Sequence, residues 1–190
     1  MSRPGDRRFA PRATVASMPI PSFVADLRAR VGNDLLWLTG VSAIVLAELD
    51  GADHVLLGRR ADNGYWSGIY GILEPGEQPA VAAAREVHEE TGIRAEIIGL
   101  ASVVSDPKPA RYPNGDRAQY LDLTFLARPV PGAHDDLRAA ARVGDDESTD
   151  VGWFALDALP EPLAGSLTER LGRALAFRAD PAAGPYLVRP

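Results

Sequence analysis

Glu86, Glu89 and Glu90 are spaced i, i+3 and i+4. On a helix this spacing puts three carboxylates on one face, where like charges repel by roughly 0.2–0.5 kcal/mol per exposed pair. They also lie toward the C-terminal end of the segment, where the helix dipole disfavours anions. Arg85 reaches Glu89 at i+4 but brings a single positive charge. Such a face is either solvated or occupied by a divalent, oxygen-seeking cation. A cation held by carboxylates reverses the local field and acidifies a bound water. The chemistry open to such a site is that of a metal-held water, with a glutamate placed to accept its proton.

The segment around these residues has the marks of a helix between loops. Pro79 suits a first turn, Ala80, Ala82, Ala83 and Ala84 favour helix, and Gly92 is a natural stop. Val81, Ala84 and Val87, with Ala80, are expected to face a sheet. Upstream, Ser22 is expected to cap a helix carrying Phe23, Val24, Leu27 and Val31, ended by Gly32. Val41–Leu49 and His54–Leu57 read as strands joined by the Asp50–Gly51 turn. A loop is expected at 61–68, a strand at Ile93–Val104 broken near Gly99, a loop at 105–117, a strand at Gln119–Ala127, a loop at 129–148 and a strand at Val151–Phe154. An amphipathic helix over Leu167–Phe177 closes the chain. Strands around one central helix, with a second helix at the end, predict an α/β (α+β) sandwich.

The stretch Gly71–Ile93, GILEPGEQPAVAAAREVHEETGI, places Gly71, Glu77, Arg85, Glu86, Val87, Glu89, Glu90, Gly92 and Ile93 at the spacing of the Nudix box. The chain resembles the Nudix hydrolases over roughly residues 35–160. The resemblance implies an α/β/α sandwich with a mixed β-sheet and the box as loop–helix–loop. It implies Mg²⁺, with Mn²⁺ as the alternative ion, held by Glu86, Glu89 and Glu90, with the Gly71 carbonyl as a further ligand. Arg85 would orient the carboxylates, and Glu77 would support the metal and its water. Glu147, in GDDESTDVGWF, is the candidate for a further ligand or general base, with Asp145 and Asp146 as rivals and a solvated loop charge as the plain reading of each. The implied activity is cleavage of the pyrophosphate bond in a nucleoside diphosphate linked to another moiety. A nucleotide sugar such as ADP-ribose, a dNTP (oxidised or not) and a dinucleoside polyphosphate are the substrate classes. A non-catalytic Nudix-like sensor is the alternative, and its signature would be lost box glutamates, which are all present. Homodimerisation is common in the family, and the helix at 22–31 is the candidate element to serve it.

Ile69-Tyr70 stands where many Nudix chains have Pro-Gly ahead of the second glycine, here Gly71. Trp66, Tyr70, Tyr112 and Tyr120 are candidates to stack on a base, with core packing as the competing role. Arg59, Arg60, Arg111 and Arg117 are candidate phosphate contacts, with solvation as the competing role.

Composition bounds the rest. The 190 residues suit one domain, with 1–21 as an Arg- and Pro-rich tail, 22–34 as the N-terminal helix, 35–180 as the main domain and 181–190 as a C-terminal tail. Met18 is an alternative start, and the tail lacks the apolar stretch of a signal peptide. No cysteine is present, which excludes a disulfide scaffold, a thiol nucleophile and a zinc–cysteine site. No apolar run reaches the ~18 residues of a membrane span, and a cytoplasmic location is expected. The net charge of −6 disfavours nucleic acid as partner and leaves room for a small diphosphate compound. Five glutamates against Arg85 between positions 74 and 90 give −5 + 1 = −4 of that −6.

Overall fold

The computed structural model describes residues 20–188. Most of the expected tail at 1–21, with Met18, lies outside the described residues. Helix α1 (Ser22–Val31) starts at Pro21, whose carbonyl accepts the Val24 and Ala25 N–H groups. Ser22 is thus the first helical residue rather than the cap. Gly32 ends the helix with φ 59°.

Strand β1 (Leu35–Leu49) begins six residues before the expected Val41–Leu49 and turns through Asp50 and Gly51, both at positive φ, into β2 (Ala52–Arg60). Two positive-φ residues match the twist of a tight hairpin. Two short strands, β3 (Trp66–Ser67) and β4 (Ile69–Ile72), then precede α2 (Pro79–Thr91). Strands β5 (Ala95–Ser105), β6 (Ala110–Arg111) and β7 (Arg117–Pro129) follow. A one-turn helix α3 (Leu137–Ala140), β8 (Ser148–Ala155) and helix α4 (Gly165–Ala179) come next. The expected C-terminal tail carries a 3-10 turn (Pro181–Ala183) and β9 (Tyr186–Leu187), which pairs with Ser102 and Val103 of β5.

The sheet is mixed and open. β1 pairs parallel with β7, and antiparallel with β4 through its middle and with β2 through its end. β7 pairs antiparallel with β5, and β2 with β8. Alternation along β1 divides the core. Val41, Ala43 and Val45 pack under α2, while Ile44 and Leu46 pack under α4. This is the expected α/β/α sandwich. The strand broken near Gly99 is found as β5, with register shifts on both sides of that residue. A Cβ there would lie 2.6 Å from the Phe177 ring of α4, so glycine admits the helix. No helix among the described residues is long and apolar enough to cross a membrane.

One helix face differs from expectation. Ala82, Ala83, Val87, Glu90 and Thr91 are the buried residues of α2, and Val81 is 59% exposed. Ala83, Val87 and Glu90 form one stripe at i, i+4 and i+7. The helix is rolled toward its carboxylates, so the apolar face and the acidic face overlap.

Candidate functional site

The carboxylates gather where α2 crosses β4. Glu86 lies directly over Gly71: a Cβ at Gly71 would sit 2.0 Å from the Glu86 carboxyl carbon. Only glycine leaves room for that side chain. Glu90 is buried at 7% exposure, and its Oε1 has no hydrogen-bond partner. The Tyr70 backbone N–H faces the Glu90 carboxylate and favours its charged form, the weakest of the influences on that group. Arg85 donates from Nε and Nη2 to Glu77 at 2.9 and 3.0 Å. Its Nη1 lies 3.0 Å from Glu86 and 2.8 Å from Glu89. Arg85 therefore collects three glutamates through one planar fork.

The backbone of β4 divides its two edges. Leu73 N–H donates to the Thr39 carbonyl at 3.0 Å. The two-residue period of an antiparallel ladder then makes Val41 and Gly71 the bonded pair. The Gly71 carbonyl accordingly lies beside β1, 3.8 Å from a Cβ built on Gly40. It faces away from the carboxylates and does not suit the ligand role expected of it. The backbone of Tyr70 faces the open edge instead.

The segment before β8 crosses the C-terminal end of α2. Arg142 and Gly144 N–H groups donate to the Thr91 and Glu90 carbonyls at 3.0 and 2.9 Å. These bonds satisfy helix-end acceptors that lack an intrahelical partner. A Cβ on Gly144 would fall 1.8 Å from the Glu89 carbonyl oxygen, so this approach also requires glycine. The crossing brings Asp145 and Glu147 to the site. The Glu147 carbonyl accepts Ala61 N–H at 2.8 Å, and its own N–H donates to Asp145 Oδ1 at 2.9 Å.

Electrostatics reflect this crowding. Burial, against the pull of Arg85, raises the Glu86 carboxyl to about 7. Burial, with Glu147, Glu86 and Asp145 nearby, holds Glu90 well above the usual carboxylate range. Burial and Asp145 also raise Glu147. Glu77 is lowered by its hydrogen bonds from Arg85. Uncompensated buried carboxylates with a partnerless oxygen fit a hard divalent cation, which takes oxygen donors only. Among the described residues, no three acidic or histidine side chains form a ready-made metal cage. Arg85 Nη1 stands between Glu86 and Glu89, and an ion there requires one of them to release it.

The proposed substrate residues are scattered. Trp66 is buried at 7% exposure, edge-on to Phe154 with ring centroids 4.7 Å apart. It is a core residue and presents no face to a base. The ring of Tyr70 is covered by the Arg170 guanidinium at 4.6 Å. Tyr112 is 39% exposed, and its hydroxyl meets that of Tyr120 at 2.8 Å. Arg117 donates to the Asn33 carbonyl at 3.2 Å, tying the Tyr112 turn to the end of α1. Arg59 donates to the Gly64 carbonyl at 3.1 Å and braces its own loop. Arg60 binds Asp62 and lies within the field of Glu147 and Glu90. The Tyr70 backbone, Gly144 and Arg170 carry no sequence signal of their own, because they act through strand register and chain crossing.

A family model described as the NUDIX domain matches residues 38–174. A MutT-like protein of Streptomyces ambofaciens is 37% identical over 147 residues, covering 77% of this chain and 79% of that protein. The 8-oxo-dGDP phosphatase NUDT18 of Mus musculus is 32% identical over 65% of this chain, and the alignment spans only 34% of NUDT18. Among solved structures, a MutT NUDIX hydrolase from Burkholderia pseudomallei superposes with a TM-score of 0.56 at 29% identity, covering 73% of this chain and 98% of that one.

Proposed function

Because the chain belongs to the NUDIX domain family, we propose that it hydrolyses the pyrophosphate bond of a nucleoside diphosphate linked to another moiety, in a Mg²⁺-dependent reaction. The observation that carries this reading is the buried, partnerless Oε1 of Glu90 beside Glu86 and Glu147. Buried anions without partners are costly, and they are retained where a cation is to be held.

Glu86, Glu89 and Glu90 would hold Mg²⁺ or Mn²⁺. When bound, the ion supplies countercharge to the diphosphate and acidity to a water. Arg85 and Glu77 fix where the carboxylates stand. Glu147, raised by burial and by Asp145, is a stronger base than an ordinary carboxylate and suits acceptance of a proton from water. The solvated-charge reading of Glu147 fits the structure less well, since its backbone is bonded on both sides and its side chain shares the field of Glu90.

The substrate classes are a nucleotide sugar such as ADP-ribose, a dNTP and a dinucleoside polyphosphate. The name of the NUDT18 relative adds 8-oxo-dGDP to the panel. The test is turnover of this panel with Mg²⁺, read by phosphate release and chromatography of the products. Cleavage between the two phosphates of at least one compound is expected. Retained metal binding with no turnover of any compound favours the non-catalytic sensor.

A further inference from the structure

Tyr70 joins the two faces of the sheet. Its backbone lies on the free edge of β4, where the N–H faces the Glu90 carboxylate on the α2 side. Its ring points to the α4 side, opposite Ser42 in the register. There the Arg170 guanidinium stacks over it at 4.6 Å. Gly68 packs on the same ring, since a Cβ built on Gly68 would lie 3.1 Å from Tyr70 Cε1, and Gly68 N–H donates to the Tyr70 hydroxyl at 3.3 Å.

Arg170 is itself fixed. Its Nε donates to Asp122 Oδ2 at 3.1 Å. Asp122 also accepts from Ser42 Oγ at 2.6 Å and from Thr124 Oγ1 at 2.8 Å. One carboxylate thus ties α4 to β1 and β7. Burial alone would lower the proton affinity of this guanidinium, but Asp122, with Tyr70, raises it above that of an ordinary arginine. A paired, mostly buried arginine is stiff, and its planar face is suited to clamp an aromatic ring.

β4 needs such a clamp. It has four residues and is paired to β1 on one side. Its other edge carries the Tyr70 N–H that faces Glu90. Placement of that N–H follows placement of Tyr70, whose ring is held from the α4 side.

We propose that Arg170 is a positioning residue for the carboxylate site: by clamping the Tyr70 ring from α4 it sets the free edge of β4 against Glu90. This rests on the reading of Glu86, Glu89 and Glu90 as a cation seat. The probe is Mn²⁺ titrated into the substrate-free full chain and followed by electron paramagnetic resonance, with thermal unfolding in parallel. Arg170→Gln and Tyr70→Leu are expected to weaken Mn²⁺ binding at least fivefold, and Tyr70→Phe, which keeps the ring, less than twofold. Arg170→Lys keeps the charge on Asp122 without the planar stack and is expected to weaken binding two- to fivefold. It serves as the test if Arg170→Gln does not fold. Leu171→Ala, which loosens α4 from the core without touching Tyr70, is expected to lower the melting temperature and leave Mn²⁺ affinity unchanged. Wild-type affinity in Arg170→Gln or Arg170→Lys overturns the proposal, as does a loss in Leu171→Ala equal to theirs. Failure of the cation-seat reading shows separately, as Mn²⁺ binding that is absent in the wild type or unaffected by Glu90→Gln.

Discussion

Arg85 and Glu77 are joined by two parallel hydrogen bonds, 2.9 Å from Nε and 3.0 Å from Nη2, while Nη1 of the same arginine serves Glu86 and Glu89. The loop glutamate therefore anchors the arginine that spaces the helix glutamates. Glu77→Gln weakens one arm of the fork and leaves Arg85 held mainly by Glu86 and Glu89. Turnover is expected to fall roughly 10–100-fold, as for partners that orient metal ligands. The melting temperature should move little, because both side chains are partly solvated. Steady-state kinetics with thermal unfolding check both halves, and unchanged turnover would contradict the role.

Gly71→Ala tests the contact between the β4 backbone and Glu86. The added methyl occupies the Glu86 carboxyl position. Overpacking of this kind costs about 1–3 kcal/mol, and the side chain that can yield is Glu86. The variant is expected to fold with lowered stability and to lose Mn²⁺ binding. A variant that binds Mn²⁺ like the wild type would show that Glu86 works from another position.

Glu90→Gln removes a charge that the metal-free fold accommodates poorly. Turnover should drop by at least about 100-fold. The melting temperature of the metal-free protein at pH 8 should rise by about 2–4 °C, or roughly 1 kcal/mol. Glu89→Gln, at a site open to solvent, should lose activity without that gain. Equal melting temperatures for the two variants would place no strain at Glu90.

The metal-free protein should also gain stability on mild acidification. The Glu86 carboxyl titrates at about 7 in the fold against an ordinary 4.5, and Glu90 and Glu147 are raised too. A carboxyl raised by folding penalises the native state above its folded pKa. The penalty fades as pH falls through about 7 toward 4.5. Chelator-treated protein should thus melt higher at pH 5.5 than at pH 8, and Mg²⁺ should raise the value at pH 8. A flat or opposite profile refutes the burial of these charges.

Trp66→Phe separates core from binding platform. Trp66 packs against Phe154 with no face open. KM should stay within about twofold while the melting temperature falls, as for smaller side chains in a core. A large KM increase at unchanged stability would return Trp66 to the substrate site.

The long elements and the acidic helix were legible because their signals are local. Pro79, the alanines and Gly92 frame α2, and the Asp50–Gly51 pair defines its hairpin. β3, β4 and β9 were not, since strands of two to four residues exist only through their partners. The buried stripe of α2 was misplaced by one residue because Glu90 follows its apolar neighbours inward, where hydrophobic periodicity expects no charge. Arg85 and Glu77, eight residues apart, could be paired from the motif, whereas Arg170 and Tyr70, a hundred residues apart, meet only after the sheet is assembled.

The bonds from Arg142 and Gly144 to the end of α2 divide the loop between β7 and β8 into two lengths of unequal freedom. Upstream of α3, at Pro131 and Gly132, the chain is exposed and can lengthen or shorten at little cost. Downstream, the few residues from Gly144 to Glu147 are a ruler between a helix end and a strand start. Insertions on the first side should leave the enzyme intact, and a single residue added on the second should carry Glu147 out of reach. A fused reporter or tag placed inside this protein belongs near Gly132, ahead of that ruler.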